Sequence, residues 1–565
     1  MKNSHIRTYL SGIFFLAATI FLWAAYPHHL HYQEQFQLFE WTKGYFCSVA
    51  SVPGGFADWL GRFFTQFFLV SALGAIITAA LLTAMQLLCA KSAGAKSHLS
   101  YALSFIPAII ALIFLLDEKA LLGGIVAIIL CLMAGLAVRK AGAAWLRAIL
   151  AIAGAPIMYF LCGPLATVFV FAACKGSRFY VWIGSAALLA ACPFLLEGTL
   201  HTTLRSLLQG VHYYRYPDSF PAMLWAAAIA AAAYTALGHL LKPEDTFRRG
   251  LATALAVFIC GGTATAICAD FEQETLFAYD YFTRTGQWKK ILELDRKKPA
   301  DKPFSVCCVN LALAKTGSLG DHLFEHIQGG PSGLFPKFAK SALTPLPASE
   351  VFWQLGMVNA CQYYTFEANE AIADFQKSGR CYKRLAQTNI VNYDYDVARK
   401  YLHALEHTLF YRGWARKTLA MLKDETSIDS DPEYSRMRRF RSHGKDEIYN
   451  EERIDILLGY MVDENPENSL AMDYLLSYEL LDNNLNNFWY YLQNSKPSHL
   501  PRHYQEGVMM LWIDNGMSLQ NLPASISSSN TKRFRAFIHD VQAGLSEDQL
   551  KKKYGNTFWF HALYN

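Results

Sequence analysis

The chain has 565 residues, of which 53% are hydrophobic and 17% are charged, a composition that is unusual for a purely soluble protein. Its basic excess lies in the first half, because residues 1–270 carry 17 Lys and Arg against 10 Asp and Glu. The sequence contains no basic stripe with interleaved aromatic residues, so nucleic-acid binding is set aside as a function.

Apolar runs dominate the first half of the chain. A bilayer core needs about 20 apolar residues per helix, and such runs lie near 9–26, 66–90, 100–116, 120–138, 179–196, 220–241 and 251–269. Residues 148–174 fit either one long tilted helix or two short helices broken at Cys162-Gly163-Pro164. The sequence therefore predicts a polytopic helical membrane domain over residues 1–269.

The distribution of Lys and Arg distinguishes these two interpretations, because cytoplasmic loops of polytopic proteins collect basic residues. With a hairpin at Gly163-Pro164 and the N-terminus inside, 12 basic residues of this domain lie inside and 5 lie outside, whereas a single helix gives 9 against 8. We therefore predict about nine segments in the inner membrane, with the second half of the chain outside the cytoplasm. The predicted inner set is Lys2, Arg7, Lys91, Lys96, Arg139, Lys140, Arg147, Lys175, Arg178, Lys242, Arg248 and Arg249.

Two long loops, 27–65 and 197–219, then lie on the outer side. The first contains PHHLHYQEQFQLFEWTKGYF, which suits an interfacial helix, followed by a turn at Pro53-Gly54-Gly55. Asp58 and Arg62 come next, four residues apart and therefore on one helix face. The two loops together bring acidic, basic and aromatic side chains to one membrane face.

This arrangement resembles the polytopic GT-C glycosyltransferases. It is most similar to YfhO-like membrane proteins, in which a glycine pair precedes an aromatic run into the second span, here Gly54-Gly55 and FFTQFF. The resemblance covers residues 1–90 and implies an acidic loop residue that acts as a base or metal ligand. Where that family has an aspartate soon after the first helix, this chain has Gln33-Glu34-Gln35, which leaves the identity of the base open. The whole layout also looks like a functionally uncharacterised family of bacterial membrane proteins with a tetratricopeptide-like C-terminal half.

The chemistry that this resemblance implies needs a carboxylate and arginines at the height of lipid phosphates. The carboxylate would deprotonate an acceptor hydroxyl or hold a divalent cation, while an arginine would neutralise the phosphate. A structural alternative is an aromatic belt whose charges only seat the loop at the interface. The candidate residues are Glu34 and Asp58 for catalysis, Arg62, Arg205 and Arg215 for lipid phosphate, and His212, Tyr213 and Asp218 for the substrate cavity.

After residue 270, amphipathic helical patterns alternate with glycines, and no apolar run reaches membrane length. DYFTRTGQW around Gly286 and LALAKTGSL around Gly317 align 31 residues apart, a spacing that suits helix-turn-helix repeats. The sequence thus predicts an all-α chain whose residues 270–565 form a tetratricopeptide-like solenoid. This half also contains four cysteines that match no zinc-ligand spacing and are either buried thiols or disulfide partners: Cys307, Cys308, Cys361 and Cys381.

Three functions fit this layout. The first is an envelope glycosyltransferase that takes sugar from a polyprenyl-phosphate carrier, with the repeats holding an acceptor or a partner. The second is a non-enzymatic scaffold whose repeats recruit envelope proteins or peptides. The third is a transporter, although the spans contain few ionisable residues of the kind that form intramembrane relays. Motifs such as GxxxxGK(S/T) and GxSxG do not occur, and no metal site is assigned.

Overall fold

The structure, a computed structural model, describes residues 2–198, 200, 203–210, 213–215, 219–238, 247–373, 376–441, 453–495 and 499–564. These residues contain no β-strand, and two isolated bridges join Ala120 to Tyr214 and Gly329 to Pro331. The all-α prediction is therefore confirmed for this part of the chain.

The chain divides into two compact units. Unit 1 comprises Met1–Thr275, Ala373–Gly379 and His407–Arg412, and unit 2 comprises Leu276–Ile372, Arg380–Glu406 and Gly413–Asn565. The predicted boundary lies between residues 269 and 270. Unit 1 differs from that prediction because it also includes the two short segments Ala373–Gly379 and His407–Arg412.

Unit 1 is a bundle of mostly apolar helices, and its described residues also contain three short 3-10 or π turns. In the described residues its helices are α1 (Lys2–Ile20), α2 (Pro27–Glu34), α3 (Lys43–Ala50), α4 (Gly55–Thr65), α5 (Ser71–Ala93), α6 (His98–Leu103), α7 (Phe105–Leu115), α8 (Gly123–Arg139), α9 (Ala144–Cys162), α10 (Thr167–Ala173), α11 (Phe179–Glu197), α12 (Leu204–Gln209), α13 (Ala222–Leu237), α14 (Phe247–Cys268) and the first turns of α15 (Phe271–Arg284).

Six helical runs among the described residues are long and apolar enough to cross a membrane. Two shorter apolar helices of unit 1, α8 and α13, have 17 and 16 residues. The chain is therefore a membrane protein, whereas the count of nine segments and the orientation stay predictions. The six runs are His5–Ala25, Ser71–Ala93, His98–Leu115, Ala144–Ala173, Phe179–Glu197 and Arg248–Cys268.

Within the run 144–173 the chain turns back on itself at Gly163, whose φ is +57°. A Cβ atom on Gly154 of α9 would lie 2.9 Å from the ring of Phe169 in α10. In one continuous helix these two residues would be about 22 Å apart along the axis. Helices α9 and α10 therefore form a hairpin, and its second arm, with 7 residues, is the shorter one.

Glycines allow the helices of unit 1 to approach each other closely, as small residues do in membrane bundles. Gly61 of α4 faces Gly123 at the start of α8, and Gly135 of α8 faces Ala172 of α10. At both places a Cβ atom on the glycine would meet backbone atoms of the neighbouring helix. Helix α8 is consequently packed between α4 at its beginning and α10 near its end.

Basic side chains cover the helix ends at one side of unit 1, which we call the basic end. Lys175 donates hydrogen bonds to the carbonyl oxygens of Ala93 (2.8 Å) and Thr235 (2.6 Å), near the ends of α5 and α13. Arg139 donates to the carbonyl oxygen of Ser92 (2.7 Å). Cations stabilise helix C-termini, where carbonyl groups lack intrahelical donors. Two residues of the predicted inner set therefore also hold the bundle together.

Unit 2 is helical throughout its described residues. After α15 its helices are α16 (Trp288–Lys297), α17 (Pro303–Lys315), α18 (Leu319–His322), α19 (Pro345–Leu355), α20 (Val358–Glu370), α21 (Gly379–Val391), α22 (Tyr395–Glu406), α23 (Arg412–Met421), α24 (Glu425–Asp429), α25 (Pro432–Phe440), α26 (Ile454–Glu464), α27 (Ser469–Leu481), α28 (Leu485–Ser495), α29 (Arg502–Asp514), α30 (Ser528–Gln542), α31 (Glu547–Tyr554) and α32 (Phe558–Tyr564).

The two aligned glycines of unit 2 lie where the sequence predicts them, between consecutive helices. Gly286 separates α15 from α16 and Gly317 separates α17 from α18, with φ values of +67° and +69°. Glycine adopts this left-handed conformation without the strain that a side chain adds. A tetratricopeptide-like solenoid nevertheless stays a prediction. The four cysteines of this unit are buried free thiols: Cys307, Cys308, Cys361 and Cys381.

Candidate functional site

The α7–α8 connection of unit 1 contacts segments of both long loops. The carbonyl oxygen of Lys119 accepts a hydrogen bond from the backbone N–H of Arg215 (2.7 Å), and that of Glu118 accepts one from Gln33 Nε2 (3.1 Å). Helix α8 begins here and ends at the basic end, so this region lies at the other end of α8. We call it the loop end.

The Pro53-Gly54-Gly55 turn is built into the loop end by tight contacts. Gly54 has a φ of +85°, and its N–H donates to the carbonyl oxygen of Phe160 in α9 (2.8 Å). The hydroxyl of Tyr213 donates to the carbonyl oxygen of Gly54 (3.2 Å). A Cβ atom on Gly54 would stand 2.6 Å from that hydroxyl oxygen. Glycine is therefore required here both by its backbone conformation and by the approach of Tyr213.

Asp58 and Arg62 form a buried ion pair on α4, with Arg62 Nη2 2.6 Å from Asp58 Oδ2. Their side chains are 6% and 16% exposed, so water screens the pair weakly. Arg62 also donates to Gln376 Oε1 (2.7 Å), in a segment of unit 1 that comes from much later in the chain. Burial acts to lower the pKa of Arg62, but the Asp58 carboxylate and the neighbouring Tyr45 outweigh burial and raise it. Arg62 therefore stays charged.

Helix α2 is enclosed by unit 1, in contrast to the predicted interfacial position. Its first two free N–H groups, those of His28 and His29, donate to the carboxyl oxygens of Glu274 at 2.7 and 2.8 Å. Farther along, Gln33 reaches the α7–α8 connection, and every residue from 29 to 34 is buried. A buried helix start needs partners for its N–H groups. Glu274 supplies those partners, which explains why this polar helix can lie inside the protein.

The burial of α2 also shifts the pKa values of groups around it. Burial raises the pKa of Glu274 to about 8, although the hydrogen bonds from His28 and His29 act in the opposite direction. Burial lowers the pKa of His29 to about 4. The His29 ring is therefore neutral at pH 7, and its Nε2 lies 3.0 Å from the carbonyl oxygen of Leu115.

Arg215 is buried between aromatic rings at the loop end. Its guanidinium carbon lies 4.2 Å from the ring centre of Phe36 and 5.5 Å from that of Tyr32. Its Nη2 donates to Gln33 Oε1 (3.2 Å), and the residue is 6% exposed. Such cation–π contacts stabilise a desolvated guanidinium. In this structure Arg215 thus fixes α2, and its accessible surface is too small to offer a broad contact to a lipid phosphate.

Glu34, at the end of α2, is buried and lines a small cavity of about 20 Å³. Residues 408–411, which belong to unit 1, also line it. This volume holds about one water molecule, so a sugar would not fit inside it. The remaining lining residues are Gln37, Leu38, Phe39 and Gln66.

The structure brings some of the predicted site residues together and separates others. Asp58 and Arg62 form an ion pair on α4. Tyr213 contacts the turn just before α4 through the hydrogen bond from its hydroxyl to the carbonyl oxygen of Gly54. Arg205 is exposed on α12, where it donates to Gln209 Oε1 (3.1 Å). His212 and Asp218 lie outside the described residues. Residues that the sequence reasoning missed are Gln37, Gln66, Glu274 and Gln376, and no local pattern distinguishes them.

The aromatic residues of the first long loop pack against one another. The ring of Phe63 lies 5.8 Å from that of Phe39 and 5.6 Å from those of Trp41 and Phe67. Phe39 is buried, whereas Trp41 is 48% exposed. These aromatic residues therefore form one cluster, of which Trp41 is an exposed member.

Three comparisons with known proteins place the chain in a family without assigning a function. Residues 3–565 match the model of a family of unknown function, DUF6057. Searches of curated proteins and of solved structures found no significant match. These comparisons give no support to the resemblance to GT-C glycosyltransferases or to tetratricopeptide repeats. Among the described residues, no group of three or more His, Cys, Asp or Glu side chains is arranged to hold a metal ion.

Proposed function

We propose that the chain, which belongs to the DUF6057 family, is a membrane-anchored scaffold of the bacterial envelope. In this proposal unit 1 anchors the protein in the inner membrane, and the helices of unit 2 bind protein or peptide partners outside the cytoplasm. The protein would then act through its surfaces and without catalysis.

The observation that supports this proposal most is the engagement of the ionisable groups at the loop end. Asp58 is paired with Arg62, Glu274 receives two N–H groups of α2, and Arg215 lies between Tyr32 and Phe36. A general base or a phosphate ligand must be able to reach its substrate. These groups instead hold α2 and α4 in place.

A membrane glycosyltransferase that uses a polyprenyl-phosphate-linked sugar is the second candidate. It is favoured by the position of Glu34 at the same end of unit 1 as the Asp58–Arg62 pair. In that case Glu34 or Asp58 would act as the base, with or without a divalent cation, and Arg62, Arg205 and Arg215 would face the phosphate.

The double variant Asp58→Ala/Arg62→Met distinguishes the two candidates, because it removes both charges and leaves neither one buried alone. We expect this variant to accumulate as folded protein and to restore the phenotype of a strain that lacks the gene. A folded double variant that fails to restore the phenotype would favour the glycosyltransferase. Lys43→Met, at an exposed cation of the same loop, is the matched control.

The proposed orientation is supported by the basic end, where Arg139 and Lys175 lie together, since cytoplasmic ends collect basic residues. We expect Ser430→Cys, at an exposed position of unit 2, to react with a membrane-impermeant maleimide in intact spheroplasts. The background would carry serine at the exposed Cys47, Cys260 and Cys268. Lys140→Cys, at the basic end, should react only after permeabilisation. The reverse pattern would refute the orientation.

A further inference from the structure

The basic end of unit 1 concentrates positive charge. Its two engaged cations, Arg139 and Lys175, lie close together, because both donate to the carbonyl oxygen of Ser92. Burial and the charge of Arg139 lower the pKa of Lys175 to about 8. Seven Lys and Arg but no Asp or Glu occur in the three stretches of sequence at this end, which are residues 91–98, 139–147 and 174–180. These stretches therefore supply no counter-charge of their own.

Two further arginines stand at the same height on neighbouring helices. Helices α9 and α11 both begin at the basic end, and a Cβ atom on Gly184 of α11 would lie 3.2 Å from Cδ1 of Ile152 in α9. Arg147 precedes Ile152 by five residues and Arg178 precedes Gly184 by six. At 1.5 Å per residue, each arginine is thus about 8–9 Å from this contact towards the basic end.

The surroundings of these two arginines are those of a membrane interface. Arg178 is exposed and Arg147 is half-buried, and neither forms an ion pair with a described residue. Large aromatic side chains adjoin them in sequence and are exposed: Trp145 by 66%, Phe179 by 78% and Tyr180 by 56%. Trp and Tyr are enriched where a membrane protein meets the lipid headgroups.

We propose that the surface formed by the first turns of α9 and α11 binds the headgroup of an anionic phospholipid. Arg147 and Arg178 contact its phosphate, since guanidinium groups match phosphate oxygens in charge and geometry. Trp145 and Phe179 lie along the glycerol and the upper acyl chains. The occupant follows from the location, because a chain with six apolar runs of membrane length is surrounded by phospholipid. The proposal is independent of the function proposed above.

The charge of this surface selects an anionic lipid over a zwitterionic one. Neither α9 nor α11 has an acidic residue in its first turn or a side-chain cap on its free N–H groups, so both helix starts add positive potential to that of the arginines. A zwitterionic lipid would bring a second positive group, its ammonium, to this surface. An anionic lipid brings a net negative charge, as basic pockets between membrane helices require.

Native mass spectrometry of the purified full-length protein in detergent tests this proposal, with dioleoyl phosphatidylglycerol and dioleoyl phosphatidylcholine as probes of equal chain length. We expect one saturable phosphatidylglycerol site, with an apparent Kd about tenfold or more below that for phosphatidylcholine. Arg178→Gln should weaken phosphatidylglycerol binding by about fivefold, the usual contribution of one basic residue near an anionic headgroup. Arg178→Lys keeps the charge and should retain most of the binding.

The double variant Arg147→Gln/Arg178→Gln should bind both lipids equally. Lys43→Gln, at an exposed cation of the first long loop, is the control and should bind phosphatidylglycerol as the unmodified protein does. Size-exclusion profiles establish folding, and Arg178→Gln, at an exposed position, provides the test if the double variant does not fold.

Three results would overturn the proposal. Equal affinity of the unmodified protein for the two lipids would show that the surface does not select negative charge. Unchanged phosphatidylglycerol binding in a folded Arg178→Gln or double variant would place the lipid elsewhere. Displacement of phosphatidylglycerol by an equal concentration of glycerol phosphate, which has no acyl chains, would show a site for a free anion instead of a lipid.

Discussion

Replacing Gly61 with alanine is expected to remove most of the folded protein. An added Cβ atom would stand 2.5 Å from the Cα of Gly123 and 3.2 Å from the carbonyl carbon of Leu122. Backbone atoms cannot rotate away as a side chain can, so α4 and α8 would have to separate. We expect a loss at or above the upper end of the ~1–3 kcal/mol that is typical of overpacking. The measurements are the monodisperse fraction after solubilisation and the apparent Tm.

Gly44→Ala is the matched control, because the same substitution is made in another helix of the first long loop. No atom lies within 4 Å of a Cβ placed on Gly44. Alanine is favoured over glycine in a helix by about 1 kcal/mol, so this variant should be as stable as the unmodified protein or slightly more stable. A folded Gly61→Ala variant with an unchanged Tm would contradict the close approach of α4 to α8.

Asp58→Ala is expected to lower the free energy of unfolding by about 3–5 kcal/mol, the usual cost of removing one partner from a buried ion pair. The guanidinium of Arg62 would keep its hydrogen bond to Gln376 but lose the negative charge 2.6 Å away. Unfolding of the detergent-solubilised protein by titration with SDS measures this loss.

Combining Asp58→Ala with Arg62→Met is expected to recover most of that stability, because no charge then remains buried without a counter-charge. Completing the cycle with Arg62→Met alone gives the coupling energy between the two side chains. Lys43→Met should change stability by no more than about 0.5 kcal/mol, as exposed substitutions generally do. If the double variant were as unstable as Asp58→Ala, the pair would not be the source of the loss.

Features encoded by neighbouring residues could be predicted from the sequence. The apolar runs indicate helices because a bilayer requires internally bonded backbone. The four-residue spacing of Asp58 and Arg62 indicates a pair on one helix face, and Gly163-Pro164 indicates a break in an apolar run. Each of these depends on the local geometry of one segment, so no knowledge of the distant chain is needed.

Contacts between residues far apart in sequence could not be predicted in this way. The loop residues after α1 suit an interfacial helix by composition, yet α2 is buried because Glu274, some 245 positions later, receives its free N–H groups. Arg215 suits a phosphate ligand by charge, but it lies against Phe36.

The sequence by itself determined that this is an all-helical membrane protein and which residues share a helix face, because hydrophobic length and helical periodicity are local properties. The tertiary structure decided which charges are buried and which partner each of them has. It also decided which distant segment lines the cavity beside Glu34. Those outcomes depend on the path of the chain between distant residues, for example the 366 positions from Trp41 to His407 for one hydrogen bond, and no periodicity in the sequence records that path.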